Sequence, residues 1–373
     1  MTSAAQTSFA ALLRLLRYAR GFRLRIAKAT ACSITNKLFD VMPEILIGVA
    51  IDVVVRQEDS FVAALGIEDP RWQLGFLGLM TLVIWVAESV FEYLYLVLWR
   101  NLAQDLQHEM RVDAYEHVQE LDLAYFEDRS TGNLVTILND DINQLERFLN
   151  GGANDLIQVA TTIIAVGAVF FAISPLIAAI AFTPIPVIVL GAFYFQRRAQ
   201  PLYAAVREQV GNLGARLSAN ISGMTTIKSF ATERFEAERV RRDSAAYVEA
   251  NRRAISVSSA FIPIIRMAIL AGFIATFLIG GWMVLEGNLN VGAYGVLVFL
   301  TQRLLWPLTN IAETVDLYER AMASTKRILD LIEAPVSIRD EPNARPLDDF
   351  RGRIEFQEVG FAYADGEPVL QDI

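Results

Sequence analysis

The 373-residue chain is 54% hydrophobic and 20% charged, and its formal net charge is -9. This acidic balance gives no support to nucleic-acid binding, and a single cysteine, Cys32, excludes an internal disulfide and a cysteine metal cluster. His108 and His117 stand alone in the sequence, so no metal site and no catalytic centre are predicted. Because the charged residues gather between long apolar runs, the composition indicates a membrane protein with large extensions outside the bilayer.

Residues 1–22 predict an amphipathic helix that lies on the membrane surface. Three arginines interrupt the apolar run, so it does not form the core of a signal peptide. The apolar residues share one face of a helix: Phe9, Leu12, Leu13 and Leu16. No acidic residue occurs between Met1 and Lys28, which suits an anionic inner leaflet and places this end in the cytoplasm by the positive-inside rule.

Six segments are predicted to cross the bilayer, whose ~30 Å hydrocarbon core requires ~20 helical residues. The central two form a hairpin from Gly152 to Phe195 with a tight turn at Ser174-Pro175. The other four predicted spans are Ile26–Val55, Leu74–Leu98, Ala254–Leu285 and Val291–Ile311. Six crossings place both ends on the cytoplasmic side of the inner (plasma) membrane, with the acidic loop 56–73 outside.

The first predicted span carries a polar stripe. Asn36, Asp40 and Glu44 are four residues apart and share a helix face, with Lys37 beside them. A charge that faces lipid at the bilayer centre costs about 2.5–3.5 kcal/mol on an insertion scale, so these side chains must face protein or water. Ion pairing of Lys37 with Asp40 or Glu44 is one interpretation and the wall of a water-filled substrate cavity is another, and both can hold.

The second predicted span repeats this pattern with Glu88 and Glu92, again four residues apart. Arg266 and Arg303 in later spans offer opposite charges. We therefore expect all these polar residues to line an internal cavity, and we hypothesise that the two glutamates pair with one of the arginines.

The spans continue outside the membrane as charged helices. Leu102, Leu106 and Met110 keep helical spacing after Arg100, and helical patterns also follow the fourth span, precede the fifth and extend the sixth to Ile332. Turn signals near 127–132 and at Ser222-Gly223 divide these extensions into two deep hairpins. Short loops would be more usual in a channel or a secondary carrier.

The composition changes after the sixth helix. A polar linker is predicted for 333–350, and Arg353–Val359 alternates apolar and polar residues as a half-buried strand does. Two strands and a turn cannot bury a core, so 351–373 is expected to be the beginning of a further α/β domain.

Four stretches, in order, resemble the ATP-binding cassette (ABC) exporters of the six-helix half-transporter type. They are YFEDRSTGNLVTILNDDINQLERFL (125–149), ISGMTTIKSFATERFEAER (221–239), STKRILDLIEAP (324–335) and GRIEFQEVGFAY with PVLQDI (352–373). The first two are similar to the family's intracellular loops, the third to the end of the sixth helix and the fourth to the first strands of the nucleotide-binding domain. Together they cover the chain at suitable spacing.

The resemblance implies an all-α polytopic membrane fold, with six transmembrane helices in 23–332 and deep cytoplasmic extensions, followed by a β stub of an α/β nucleotide-binding domain. It also implies a pair of half-transporters, as a homodimer or heterodimer, that exports a substrate. Short coupling helices near Tyr125–Thr131 and Gly223–Phe230 would dock on the nucleotide-binding domains. The implied coupling residues are Tyr125, Phe126, Thr131, Gly132, Gly223, Lys228, Phe230 and Glu233.

The same resemblance implies ATP and Mg2+ as cofactors, bound only by a complete nucleotide-binding domain. Tyr363 matches the family aromatic that stacks on adenine. The printed sequence contains no GxxxxGK[ST] phosphate loop, signature motif or catalytic glutamate, so we do not expect this chain alone to hydrolyse ATP. Two other functions stay open on the residues: an ion-coupled carrier or channel that uses the intramembrane carboxylates, and a membrane scaffold that docks a soluble partner.

Overall fold

The computed structural model describes residues 2–57, 60–127, 130–336, 338, 343–344, 352–362 and 368–373, without the side chains of 2–7, 127 and 312. Within these residues the chain forms thirteen α-helices and two short strands. The helices are α1 Thr2–Tyr18, α2 Arg23–Arg56, α3 Pro70–Glu120, α4 Leu123–Glu127, α5 Thr131–Thr136, α6 Ile142–Arg147, α7 Ala153–Ile173, α8 Pro175–Phe182, α9 Pro184–Ser222, α10 Met224–Ser229, α11 Glu233–Leu285, α12 Val291–Leu305 and α13 Ile311–Ile332. The strands are β1 Phe361–Ala362 and β2 Pro368–Leu370.

Five helical segments of the described chain are long and apolar enough to cross a membrane. They are Pro70–Glu120, Thr131–Ile173, Pro175–Ser222, Glu233–Leu285 and Val291–Asn310. The sixth long helix, α2, has 34 residues but carries the charged stripe. It packs against α3, α7 and α12, so protein rather than lipid surrounds much of its surface. The six-helix membrane fold is therefore confirmed, with α2 as the least apolar member.

The central hairpin turns at Ser174, as predicted. Ser174 has an extended backbone (φ -156°, ψ 107°), and its Oγ accepts a hydrogen bond from the Ile177 amide. Pro175 follows as the first residue of α8, where its missing N–H is not needed. A second proline, Pro184, separates α8 from α9 at Thr183. The fourth span is therefore interrupted at the single residue Thr183, whose backbone stays helical, and continues in α9.

Glycines let the spanning helices approach closely. A Cβ on Gly292 of α12 would lie 2.5 Å from the carbonyl oxygen of Gly48 on α2, and one on Gly272 of α11 would lie 2.5 Å from Cγ of Pro184. In lipid, where the hydrophobic effect does not drive helix association, small residues allow the van der Waals contact that holds helices together. These positions therefore determine how α2 meets α12 and how α11 meets the break in the fourth span.

The bundle extends beyond the membrane on one side, which we call the extension end. The helix ends that define it are Glu120, Thr131, Ser222 and Glu233. At 1.5 Å per residue, the 51 residues of α3 span about 76 Å, about two and a half times the ~30 Å hydrocarbon core. Part of the extension end has its own apolar core, formed by α1, α3, α5, α6 and α13 around buried residues such as Met110, Ile142, Leu145, Met322 and Ile328.

Helix α1 packs on this core with a face that the sequence did not single out. Ala11, Leu15 and Ala19 are each only 3% exposed and lie one helical turn apart, in the core that α1 shares with α13. Of the predicted apolar face, Phe9, Leu13 and Leu16 are exposed and Leu12 packs partly against the core. Small residues give the closest helix contact. The larger apolar side chains Phe9, Leu13 and Leu16 therefore stay free to contact lipid. Binding of that face to the membrane surface stays a prediction.

The predicted strand at Arg353–Val359 is not formed. The described residues 352–360 have irregular backbone, and Glu358 has a positive φ of 51°, which interrupts an extended chain. Antiparallel pairing starts only at Val359, which exchanges backbone hydrogen bonds with Ile373, and continues as β1 with β2. A segment with alternating apolar and polar residues becomes a β-strand only when its backbone forms hydrogen bonds to a neighbouring strand.

Candidate functional site

A charged cluster lies inside the membrane where α12 meets α2. Arg303 of α12 forms ion pairs with Asp40 and with Glu44, the second with 3.3 Å between Nε and Oε1. Lys37 Nζ lies 2.6 Å from the second oxygen of Asp40, so the expected pairing of Lys37 is with Asp40. Both acidic side chains are more than four-fifths buried. The cluster keeps these charges away from lipid through mutual pairing.

Two further residues predicted for the cavity, Asn36 of α2 and Glu88 of α3, lie beside this cluster. Asn36 is buried, donates a hydrogen bond of 2.9 Å to the Glu88 carbonyl oxygen and accepts one from Gln158. Asn36, Asp40, Glu44, Glu88 and Arg303 are thus together, as a shared polar region requires.

The hypothesis that Glu88 and Glu92 pair with Arg266 or Arg303 is wrong. Within the described residues no ion pair joins either glutamate to either arginine, because the close contact of α12 with α2 directs Arg303 to Asp40 and Glu44. Arg266 is exposed on α11 and stacks over the Trp306 ring, 5.8 Å from its centroid. Glu92 is exposed on α3.

A cavity in the described part of the chain lies elsewhere, between α9, α11 and α13. Its volume is about 980 Å3. The wall includes Phe195, Gln196 and Tyr203 of α9, Phe261 of α11, and Glu313 and Arg320 of α13. None of the residues predicted to form the substrate cavity lines it. The sequence does contain a signal: Gln196, Gln200, Tyr203 and Arg207 follow helical spacing, as do Glu313, Asp316 and Arg320.

Short helices lie at both predicted loop tips. In the first loop, α4 carries Tyr125 and Phe126, whose rings meet edge to face at 5.8 Å and pack partly against the apolar core. Leu123 at the beginning of α4 is 75% exposed. Thr131 and Gly132 are exposed at the beginning of α5, where the Ser130 Oγ caps the Asn133 amide.

In the second loop, α10 connects α9 to α11. Gly223 ends α9, and Phe230 after α10 is 75% exposed. Lys228 Nζ lies 2.9 Å from Glu233 Oε1, which ties α10 to the first turn of α11. The hydrogen bond from Lys228 holds the pKa of the Glu233 carboxyl below its ordinary value. Each loop therefore has a short helix held by local contacts and a solvent-exposed apolar side chain, Leu123 in the first loop and Phe230 in the second.

The first loop is joined to α13 by a buried ion pair that the sequence analysis did not identify. Asp141 is 4% exposed and accepts hydrogen bonds from Ser324 Oγ at 2.8 Å and from Arg327 Nε at 2.7 Å and Nη2 at 2.5 Å. Its hydrogen bonds raise the pKa of the Arg327 guanidinium. Asp141 ends a π-helical turn, Ile137–Asp141, of the kind common at functional sites. Both stretches were noted in the sequence, but their contact is visible only in three dimensions.

The site proposed to contact adenine, Tyr363, lies outside the described residues. Among the residues that are described, no group of three histidine, cysteine, aspartate or glutamate side chains is arranged to hold a metal ion.

Comparison with known proteins places the chain in a family. The model of the ABC transporter transmembrane region matches residues 26–308. A fatty acid ABC transporter ATP-binding/permease protein of Mycobacterium tuberculosis (strain CDC 1551 / Oshkosh) is 27% identical over 295 residues, 79% of this chain and 46% of its own length. An ATP-dependent lipid A-core flippase of Syntrophus aciditrophicus (strain SB) is 22% identical over 360 residues, 96% of this chain and 58% of its own.

A third relative, an uncharacterized ABC transporter ATP-binding protein of Bacillus subtilis (strain 168), is 25% identical over 292 residues, 78% of this chain and 50% of that protein. The chain thus spans about half the length of the curated relatives it matches.

Proposed function

Because the chain belongs to the ABC transporter family as an exporter-type transmembrane region, we propose that it forms the cargo pathway of an ATP-driven exporter and transmits motor closure to that pathway. The observation that carries this proposal is the pair of loop tips. Both α4 and α10 lie at the extension end and leave an apolar residue bare, Leu123 and Phe230. Exposed large apolar side chains on short fixed helices suit docking into a groove of another domain.

The long helices suit the transmission of that docking into the membrane. Helix α11 extends over 53 residues, about 80 Å at 1.5 Å per residue, with Pro263 inside it. A displacement of α10 would therefore be transmitted along α11 towards its membrane part, where Pro263 is a position at which the helix can bend. Motor closure would favour one of two arrangements of the spanning helices, which is a population shift driven by differential contacts. Through Asp141 and Arg327 the first loop would act on α13 at the same time.

We infer that a second half-transporter, either a second copy or a different chain, covers the hairpin of α9 and α11. No residue from 193 to 253 is buried, although apolar side chains such as Val210, Ile221 and Phe235 occur along it. The Arg216–Asp243 ion pair joins the two helices without creating a core. Two helices without a buried core owe little stability to packing, so a partner surface accounts for their order.

The proposed orientation places the extension end and both ends of the chain in the cytoplasm, with the protein in the inner (plasma) membrane. The basic, acid-free segment 1–28 and Arg197, Arg198 and Arg207 lie on that side. The positive-inside rule favours this arrangement.

ATP and Mg2+ are assigned to a complete nucleotide-binding domain, in cis or in trans. In this division 23–332 is the transmembrane domain, 333–350 the linker and 351–373 the beginning of the motor domain. The printed residues supply no phosphate loop to cradle ATP, so no step is derived through nucleotide at this chain. Its own residues dock the motor, hold the loops and shape the pathway.

The cavity between α9, α11 and α13 is proposed as part of the pathway, with an amphiphile as cargo. Its wall is apolar at Ala192, Phe195 and Phe261. It becomes charged, with both signs present, at Arg207, Glu313, Asp316 and Arg320. Positions 192 and 207 of α9 are separated by about 22 Å at 1.5 Å per residue, enough to hold an apolar chain beside a polar head group. Relatives named for fatty acid and lipid A-core transport agree with such a cargo.

One observation favours a second candidate, an ion-coupled carrier. Asp40, Glu44, Glu88 and Glu92 outnumber the nearby cations Lys37 and Arg303 inside the membrane. An excess of carboxylates at that depth suits the uptake of protons or cations.

Sealed inside-out vesicles that contain the full protein separate the two candidates. A fluorescent fatty-acid analogue is followed into the vesicles with ATP, without ATP, and with a proton or sodium gradient alone. ATP-dependent uptake that survives collapse of both gradients supports the exporter. Uptake driven by a gradient without ATP would overturn it in favour of the carrier.

A further inference from the structure

Arg14 of the N-terminal helix holds the last turn of α13. Its Nη1 lies 2.6 Å from Asp330 Oδ1 and its Nη2 lies 2.9 Å from Glu333 Oε2. One guanidinium thus contacts two carboxylates that are more than 300 residues away in the chain. A lysine has a single charged nitrogen and cannot reproduce this two-sided contact with the same geometry.

The segment that follows α13 is held from the other side by the end of α3. His117 Nε2 donates a hydrogen bond of 2.7 Å to the Ala334 carbonyl oxygen. The Ile338 amide donates one of 3.1 Å to Asp122 Oδ1. The described residues 333–336 and 338, which we call the exit segment, are therefore attached to α1 through Glu333 and to the end of α3 through Ala334 and Ile338.

Helix α1 is itself fixed along its length. Ala11 and Leu15 are buried in the core shared with α13, on either side of Arg14 in the sequence. Tyr18 Oη, at the end of α1, donates a hydrogen bond of 2.5 Å to Asp113 Oδ2 on α3. Burial beside Asp113 raises the pKa of the Tyr18 hydroxyl, so it stays a donor at neutral pH. Arg14 is thus presented from a rigid support.

We propose that Arg14 is a positioning residue that fixes the exit segment against α3 and α13, and so sets the resting position of whatever domain follows it. The proposal rests on the proposed function for the identity of that domain, the motor. Exposed ion pairs are individually weak, and Asp330 and Glu333 are both about half exposed. The contact therefore favours one position of the exit segment without preventing its release during a transport cycle.

Limited proteolysis of the full protein in lipid nanodiscs tests this directly. Trypsin cleaves after Arg339, the first basic residue beyond the exit segment, whereas Arg345 precedes Pro346 and is not a trypsin site. The Arg14→Glu variant is expected to be cleaved there about three to five times faster, the change that losing ~0.6–1 kcal/mol produces. Arg14→Lys should give an intermediate rate, and the charge swap Arg14→Glu with Asp330→Arg should restore a rate near that of the unchanged protein. The rate is measured at the Arg339 bond alone, because the swap adds a trypsin site at position 330.

Arg17→Glu is the matched control, because Arg17 lies on the same helix, is exposed and has no ion pair within the described residues. Equal cleavage rates for Arg14→Glu and the unchanged protein, an equal effect of Arg17→Glu, or failure of the charge swap would each overturn the proposal. Thermal unfolding of every variant verifies that α1 stays folded.

A second measurement on the same samples separates this proposal from the proposed function. Under both proposals Arg14→Glu keeps ATP hydrolysis but moves about threefold less fatty-acid analogue per ATP, and the charge swap restores the ratio. Faster cleavage together with ATP-independent uptake would support the positioning role and contradict the exporter. ATP-driven uptake with unchanged cleavage would contradict the positioning role alone.

Discussion

Asp141 shows how one side chain can connect a loop to a distant helix. The carboxylate is buried and receives three hydrogen bonds from Ser324 and Arg327 of α13. Removing one partner of a buried ion pair costs about 3–5 kcal/mol, but Arg327 is half exposed and water can replace part of the loss. Its value for function is the fixed geometry between the first loop and α13.

Asp141→Asn should destabilise the protein by about 1–2 kcal/mol, because the charge of Arg327 loses its partner while the Ser324 hydrogen bond can persist. We expect ATP-driven transport to fall about fivefold to tenfold, the effect of a coupling loss of about 1–1.4 kcal/mol. Uptake of the fluorescent analogue and thermal unfolding measure the two effects. Asp140→Asn, an exposed neighbour on the same helical turn, is the control and should change neither. Equal effects of the two changes would contradict the assigned role.

Arg303 and Arg266 make a second residue-scale comparison inside the membrane. Arg303→Gln leaves Asp40 and Glu44 without their shared cation and should cost about 2 kcal/mol of stability, less than a fully buried pair because Arg303 is partly exposed. Arg266→Gln loses only the stacking on Trp306, worth about 0.5–1 kcal/mol. Thermal unfolding in detergent compares the two, and an Arg266 variant as unstable as the Arg303 variant would rule out the assigned pairing.

At the scale of elements, α2 and α12 pack so closely that their glycines touch. Gly292→Ala should push α12 off α2, since the new Cβ would lie 2.5 Å from the Gly48 oxygen, and overpacking of this kind costs about 1–3 kcal/mol. Gly191→Ala on α9, with nothing within 4 Å of its Cβ, is the control and should be neutral or stabilising. Thermal unfolding distinguishes them. A neutral Gly292→Ala would show that the helices can separate without loss.

The same scale shows what the sequence can reveal. The spans and the turn at Ser174-Pro175 follow from local rules of hydropathy, proline chemistry and spacing, so they were predictable. The short helices at the loop tips were expected only from the family resemblance. The partner of a charge depends on the rotation of two helices about their axes. That rotation comes from glycine contacts such as Gly48 with Gly292, so Arg303 could not be assigned to Asp40 and Glu44 in advance.

Two other features, the buried face of α1 and the cavity, were not predicted from the sequence, for related reasons. The buried face of α1 was missed because alanine counts little in hydropathy but gives the closest packing, as at Ala11 and Ala19. The cavity between α9, α11 and α13 was missed because its polar residues come from three helices, each with an unremarkable pattern of its own.

At the scale of the whole molecule, the uncovered hairpin of α9 and α11 predicts a two-chain particle. Glutamate at both Val210 and Val248, two exposed apolar positions on this hairpin, should weaken the pairing by introducing charges into the covered surface. Light scattering of the purified full protein measures the particle mass, which we expect to be twice the protomer mass before the change and closer to one protomer after it. Glutamate at Tyr115, exposed on α3, is the control. A pair that persists in the double variant would place the interface elsewhere.

The measurement that tests the account most directly follows the pathway itself and needs no knowledge of the cargo. In the full protein with Cys32 and every other native cysteine replaced by serine, a cysteine replaces Gln196 in the cavity wall. A membrane-impermeant thiol reagent is applied from the extension side with and without ATP and vanadate. We predict that nucleotide slows labelling at least tenfold, and that Leu123→Ala with Phe230→Ala abolishes this change while ATP hydrolysis continues. Leu285→Ala, exposed at the opposite end of α11, should leave it intact. A labelling rate that is the same with and without nucleotide would contradict the coupling of the extension end to the pathway. So would a nucleotide effect that is unchanged in the Leu123→Ala, Phe230→Ala variant.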